Sequence, residues 1–253
     1  MKIGITTDIV DSTKYHKGVS YYIQYLVKNL AKICRDGIFL IHFKQSTNDI
    51  YNLGLNEIIL GNGNFDISKL LVNYCKVNEL KDLDIIHITA PRIPYLPLLS
   101  APTKIVLTVH GLDLYIPEQW RAKFYREPIA WVQQKVLSST FSKYKDEVEF
   151  IAVSNFLKQE LITHLQVPKE RVHVVYHGVD PKFRPLNLNK KYLIISDTPL
   201  PELIEIYYKL REFGVHHKMV IFGKRGYGIE AKRLVNKLKL QKYVKFAGHL
   251  PYD

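Results

Sequence analysis

Short apolar runs recur along the chain, and amphipathic stretches separate them. The opening run Lys2-Ile3-Gly4-Ile5-Thr6 is followed by Val19, Tyr22, Ile23, Leu26, Val27, Leu30 and Ile33, apolar positions at helical spacing. Further runs stand at Ile38-Phe39-Leu40-Ile41, Glu57-Ile58-Ile59-Leu60, Asp84-Ile85-Ile86-His87-Ile88 and Lys104-Ile105-Val106-Leu107-Thr108-Val109. Runs of strand length alternating with helical patterns are the signature of βαβ units, in which helices cover a mostly parallel sheet. The expected fold class is therefore α/β.

The same alternation continues downstream. A helical region spans about Gln119 to Lys145, with an interruption near Pro128. Glu149-Phe150-Ile151-Ala152-Val153 reads as a strand, and Ser154 is placed to cap a helix from Asn155 to Leu165. Val167-Pro168 ends that helix, and Arg171-Val172-His173-Val174-Val175 is the next strand. The turn Tyr176-His177-Gly178-Val179-Asp180-Pro181 marks a boundary, giving domains of residues 1–181 and 182–253. Beyond it, strands are expected at Tyr192–Ile195, Met219–Phe222 and Val244–Phe246, with helices at Pro201–Phe213 and Gly228–Leu240. Three strands and two helices make half of a doubly wound domain, so the second domain reads as truncated.

Composition narrows the class of function. Hydrophobic residues at 47% and charged residues at 24% exclude a disordered chain. No apolar stretch reaches the roughly 18 to 20 residues of a membrane-spanning helix. The first eight residues turn polar too soon for a secretory signal. Two cysteines, Cys34 and Cys75, cannot make a disulfide framework. A cytoplasmic location is the default expectation, with peripheral attachment to a membrane as a variant of it. The net charge of +12 is uneven: residues 182–253 hold 15 basic and 6 acidic side chains. That excess suits nucleotides, sugar phosphates or anionic lipid, and equally a solvated lysine-rich face.

Ligands of open parallel sheets bind outside the carboxyl ends of the strands, which singles out Gly18, His87 and His110. Gly18, opening the first helix, would let backbone N–H groups approach a phosphate, though a plain turn explains it as well. His110, where the strand Thr108-Val109 meets the loop Gly111-Leu112-Asp113, is placed to hydrogen-bond a sugar hydroxyl; a structural histidine is the competing reading. His87, between Ile86 and Ile88, fits a packed strand residue. No Gly-x-Gly-x-x-Gly follows the first strand, which removes the dinucleotide fingerprint. Asp82-Leu83-Asp84 opens an apolar strand and reads as punctuation rather than a metal site; no metal or cofactor is expected. Trp120, Arg121, Lys123, Arg126, Trp131 and Lys135 mix aromatic and basic character, as a membrane-surface helix or a packed helix would. No nucleic-acid motif accompanies the basic residues.

Several segments, in this order, resemble the family-four retaining glycosyltransferases of GT-B fold. They are Lys17-Gly18-Val19, Thr108-Val109-His110-Gly111-Leu112-Asp113, and Ile151-Ala152-Val153-Ser154-Asn155-Phe156. The most specific is Val167-Pro168-Lys169-Glu170-Arg171-Val172-His173-Val174-Val175-Tyr176-His177-Gly178-Val179-Asp180, with Phe183-Arg184-Pro185 trailing. The similarity continues through Met219–Gly223 to Val244–Gly248. The resemblance implies two Rossmann-like domains with the active site in the cleft between them. The first would bind a glycan, lipid or small-molecule acceptor, and the second a nucleotide-sugar donor without a metal. Carried over by position, His110 would be catalytic, meeting the transferred sugar, and Gly18 would approach the donor diphosphate. Gly223, Lys224 and Arg225 join the donor side; His87, Asp113 and Ser154 are acceptor-side candidates.

The chain departs from the family pattern in two places. The Gly-Arg and following Lys that clamp the diphosphate are replaced by Ser196-Asp197-Thr198-Pro199-Leu200-Pro201-Glu202. The paired glutamates of the donor site would fall after Gly248-His249-Leu250-Pro251-Tyr252-Asp253, where the chain stops. A second expectation follows from these losses: a catalytically incompetent or partner-dependent sugar- or lipid-binding protein that retains the acceptor half. A sugar-nucleotide epimerase, a third reading, shares the architecture, but the Ser154-to-Asp180 signature points toward the transferases.

Overall fold

The computed structural model describes residues 1–11, 18–43, 46–60, 80–111, 135–136, 139–184, 192–196, 201–222 and 228–248. It divides into two compact units, Met1–Val179 and Asp180–Asp253.

The first unit is built on seven parallel strands: β1 (Ile3–Thr6), β2 (Ile38–His42), β3 (Asn56–Ile59), β4 (Ile85–Ile88), β5 (Lys104–Val109), β6 (Glu149–Ala152) and β7 (Val172–Val174). Their order is β3-β2-β1-β4-β5-β6-β7, so the winding reverses between β1 and β4. Helix α1 (Gly18–Cys34) crosses from β1 to β2 and buries Ser20, Ile23 and Val27. With Ile5, Ile38 and Leu40, Ile23 and Val27 close the core on one face. A fully buried Ile or Val is worth about 1.5–3 kcal/mol, enough to seat the helix.

The opposite face holds a second core of Ile41, Ile86, Ile88, Ile105, Leu107, Val109, Phe150, Leu157 and Leu161. The last two come from α2 (Asn155–Leu165), which Ser154 caps by accepting from the Leu157 N–H at 3.1 Å. Gly4 on β1 makes room for this packing. A Cβ there would sit 2.6 Å from both Ile41 Cδ1 and Leu83 Cδ1.

Strand alternation then fixes where the polar residues of β4 and β5 go. Ile86, Ile88, Ile105, Leu107 and Val109 take the second core, so His87 and Thr108 project to the α1 face. Asp84 lies at the opposite, amino-terminal edge, accepting from the Lys2 N–H at 2.7 Å, which is the punctuation role expected of it.

The second unit has three parallel strands, β8 (Tyr192–Ser196), β9 (Lys218–Phe222) and β10 (Val244–Gly248), in the order β10-β9-β8. Helices α3 (Pro201–Glu212) and α4 (Gly228–Lys237) bury Ile204, Tyr207, Ala231 and Val235 against Met219, Ile221 and Val244. Tyr207 donates its hydroxyl to the His217 carbonyl at 2.7 Å.

Most of the helical region expected from Gln119 to Lys145, and with it Trp120, Arg121, Lys123, Arg126 and Trp131, lies outside the described residues. So do Asp113, Gly223, Lys224 and Arg225. No helix among the described residues is long and apolar enough to cross a membrane.

Candidate active site

The carboxyl edge of the seven-stranded sheet, beside the β1–β4 reversal, is where this architecture leaves room for a ligand. Its floor is a pair of buried threonines. Thr89 donates its N–H to Thr6 Oγ1 at 2.9 Å and its hydroxyl to the Thr6 carbonyl at 2.7 Å. The two hydroxyl oxygens lie 3.1 Å apart. These bonds extend the β1–β4 pairing past the strand ends and leave the Thr89 carbonyl facing β5. Directly after β5, His110 places Nε2 2.9 Å from that oxygen. A carbonyl only accepts, so Nε2 carries the proton. In the neutral ring Nδ1 is then a hydrogen-bond acceptor.

Three rings meet here. Tyr22 of α1 stands edge-on to His110, centroids 4.8 Å apart and planes at 75°. His177, three residues past β7, stacks on Tyr22 at 4.9 Å and 29°. Its ring centroid is 5.3 Å from that of His110. The Tyr22 hydroxyl lies 3.2 Å from Thr108 Oγ1, which also meets His87 Nε2 at 2.7 Å.

The electrostatics make this a cluster of neutral groups. Burial pulls His110 below the ordinary histidine value; the Thr89 carbonyl opposes the fall and His177 adds to it. Burial lowers His177 too. His87 is driven to about 4, first by burial and then by His110. Burial raises the Tyr22 phenol, against the Thr108 bond. Among the described residues no carboxylate bonds His110. The ring is thus oriented by a carbonyl, which suits hydrogen bonding to a ligand better than the activation of a nucleophile.

A second polar group occupies the ends of β1 and β2. Arg92 Nη1 donates to Asp8 Oδ2 at 3.1 Å, while Asp8 Oδ1 is buried with no partner among the described residues. Tyr51 donates to Thr7 Oγ1 at 2.9 Å and faces Asp11 Oδ2 at 3.3 Å; Ser46 also donates to Asp11. Burial raises Asp8 to about 6, although Arg92 works in the other direction.

A family model, Glycosyltransferase Family 4, matches residues 56–183, just over half of the 253. The chain belongs to glycosyltransferase family 4. The match covers His87, His110, Ser154 and His177; Gly18 and Tyr22 lie before it. Solved structures of similar fold include a glycosyltransferase from Rickettsia africae, at 19% identity and TM-score 0.62, covering 98% of this chain and 68% of that one. HepE of Anabaena, solved in complex with UDP, gives 17% and 0.67, covering 99% and 70%. The lipopolysaccharide outer core galactosyltransferase WaaB gives 13% and 0.67, covering 99% and 68%. At these identities the likeness carries the fold, which is GT-B. Comparison with curated proteins finds no sequence match.

Within this family 4 chain the structure brings His110 and His87 into one network and adds residues the sequence did not single out. His87 is 8% exposed and its Nε2 is engaged by Thr108, so it supports the cluster from beneath and offers an acceptor little surface. Ser154 Oγ is engaged by the Leu157 N–H as a helix cap. Gly18 opens α1, and a Cβ built there meets nothing within 4 Å among the described residues, so packing among them does not demand the glycine. Tyr22, Thr6, Thr89, Thr108 and His177 were not marked as site residues. The available signal was position: polar or aromatic residues at the carboxyl ends of parallel strands, or one turn into the following helix. Among the described residues no three His, Cys, Asp or Glu side chains form a metal-binding group.

Proposed function

We propose that the chain transfers a sugar from a uridine or guanosine nucleotide-sugar to a glycan or lipid acceptor, without a metal. The observation that carries this reading is the fixed, neutral His110 at the carboxyl edge, with Nε2 on the Thr89 carbonyl. Nδ1 then accepts a hydrogen bond from a hydroxyl of the sugar, orienting its reacting carbon. During transfer the bond from that carbon to the diphosphate oxygen breaks, a bond to the acceptor oxygen forms, and the proton of the acceptor hydroxyl passes to the departing diphosphate. Negative charge grows on the leaving diphosphate, and fixed N–H groups and cations stabilise it.

In this reading residues 1–181 serve the acceptor and 182–253 the donor. That no described residue lies within 4 Å of a Cβ at Gly18 favours backbone approach to the diphosphate. Lys224 and Arg225, after Gly223, take the place of the cations that Ser196–Glu202 lacks. UDP in the related Anabaena structure favours uridine as the donor base.

Calorimetry of the full chain with UDP and GDP tests the reading. Micromolar binding of either supports the transferase. Absence of binding to both, with retained affinity for glycans, supports the second reading: a sugar-binding protein whose donor half is inactive. The altered Ser196–Glu202 segment is what favours that alternative.

A further inference from the structure

We propose that His177 is a positioning residue for His110. The proposed function assigns the histidines unequal parts: His110 meets the sugar, while His177 sits in a turn whose backbone only continues from β7. The geometry gives His177 a task of its own. Its ring lies face-on to Tyr22 at 4.9 Å, and Tyr22 stands edge-on to His110 at 4.8 Å. The 5.3 Å separation of the two imidazoles closes the triangle.

His110 has one hydrogen bond among the described residues, through Nε2 to Thr89. A single bond leaves an imidazole free to tilt about it, or to flip about Cβ–Cγ, which sets Cε1 against the carbonyl and removes the bond that holds the proton on Nε2. Tyr22 blocks tilting on one side and is itself held by Thr108. His177 bears on both Tyr22 and His110, so the ring cannot turn without displacing two aromatic neighbours. Stacked and edge-on aromatic pairs contribute beyond simple burial, which favours one arrangement of the three. The consequence is a fixed tautomer: proton on Nε2, lone pair on Nδ1. The ionisable groups facing His110 in this cluster are Tyr22 from α1, His87 from β4 and His177 after β7.

The orienting part rests on reading His110 as the sugar-contacting group, but its test does not. Nitrogen-15 NMR of the full chain reads the tautomer and titration of His110 in wild type, His177→Phe and His177→Ala. Wild type and His177→Phe, which keeps a stacking ring, are expected to show His110 protonated at Nε2 alone. His177→Ala is expected to show both tautomers. In both variants the His110 titration midpoint moves upward, because a neighbouring imidazole is removed, and further in the alanine variant, where burial is lost. An unchanged tautomer and midpoint in His177→Ala overturns the proposal. If that variant does not fold, His177→Gln, planar but not aromatic, carries the same two outcomes. UDP binding by wild type, measured separately, reports on the transferase reading alone.

Discussion

Tyr22 reaches from α1 to Thr108 on β5, with the two hydroxyl oxygens 3.2 Å apart, and so ties the helix to the strand that carries His110. The contact joins residues 86 positions apart in sequence. Tyr22→Phe keeps the ring and loses the hydroxyl. Urea unfolding is expected to show a loss of about 0.5–1.5 kcal/mol, the worth of one hydrogen bond. The His110 tautomer is expected to stay as in wild type. Tyr22→Ala removes the ring from both imidazoles, and both should titrate higher because burial is what lowers them.

Ser154 serves first as the cap of α2. Ser154→Ala should cost about 1 kcal/mol in unfolding free energy, and Ser154→Asp should restore it. The same pair separates the cap from the acceptor contact expected of Ser154. Transfer rates that follow the cap alone return in the aspartate variant; a rate that stays low there reveals a hydroxyl contact with the acceptor.

Asp8 and His87 give opposite pH dependences. Asp8 is raised from 3.8 to about 6, so the folded chain holds a proton that the unfolded chain releases. Its contribution is complete below 3.8 and is lost as pH rises through about 6. Asp8→Asn removes that loss. Its stability should gain on wild type as pH rises from about 4 to about 6 and then hold level, by up to about 3 kcal/mol. Thermal melting across that range checks it; parallel wild-type and variant curves contradict it.

His87 falls from 6.5 to about 4. Between those values the unfolded chain takes up a proton that the folded chain refuses, so stability is complete above 6.5 and declines as pH falls toward 4. His87→Gln keeps a hydrogen-bond partner for Thr108 without a titrating ring and should flatten the acid side of the curve. Because Asp8 acts in the other direction over much of the same interval, the single variants reveal each effect where wild type shows only their difference. An acid limb unchanged in His87→Gln removes His87 as its cause.

The periodicity of the chain carried the architecture well because each signal was local. Apolar positions from Val19 to Leu30 mark one face of α1, while Ile33, expected on the same face, is exposed in the last turn, beyond the core; the runs at Ile38 and Lys104 mark strands whatever they pair with. The order of strands, and so the reversal between β1 and β4, depends on contacts that periodicity does not encode. The site was legible in part for the same reason. His110 stood out because it follows a strand. Tyr22 was hidden by its use as an apolar helix position, and His177 by a turn that explained it sufficiently. Thr6 and Thr89 are 83 residues apart, and only the folded sheet makes their hydroxyls partners. The 3-10 turn Asp8–Asp11, which holds Asp8 near Arg92, carries no strong period of its own.

The central claim is that His110, oriented by Thr89, acts on the sugar of a nucleotide-sugar. Release of nucleoside diphosphate from UDP- and GDP-sugars, with glycan and lipid acceptors supplied, tests it most directly in wild type and His110→Ala. The account predicts turnover by wild type and a loss of about a hundredfold or more in His110→Ala, with melting temperature nearly unchanged. Equal turnover by the two proteins would contradict it.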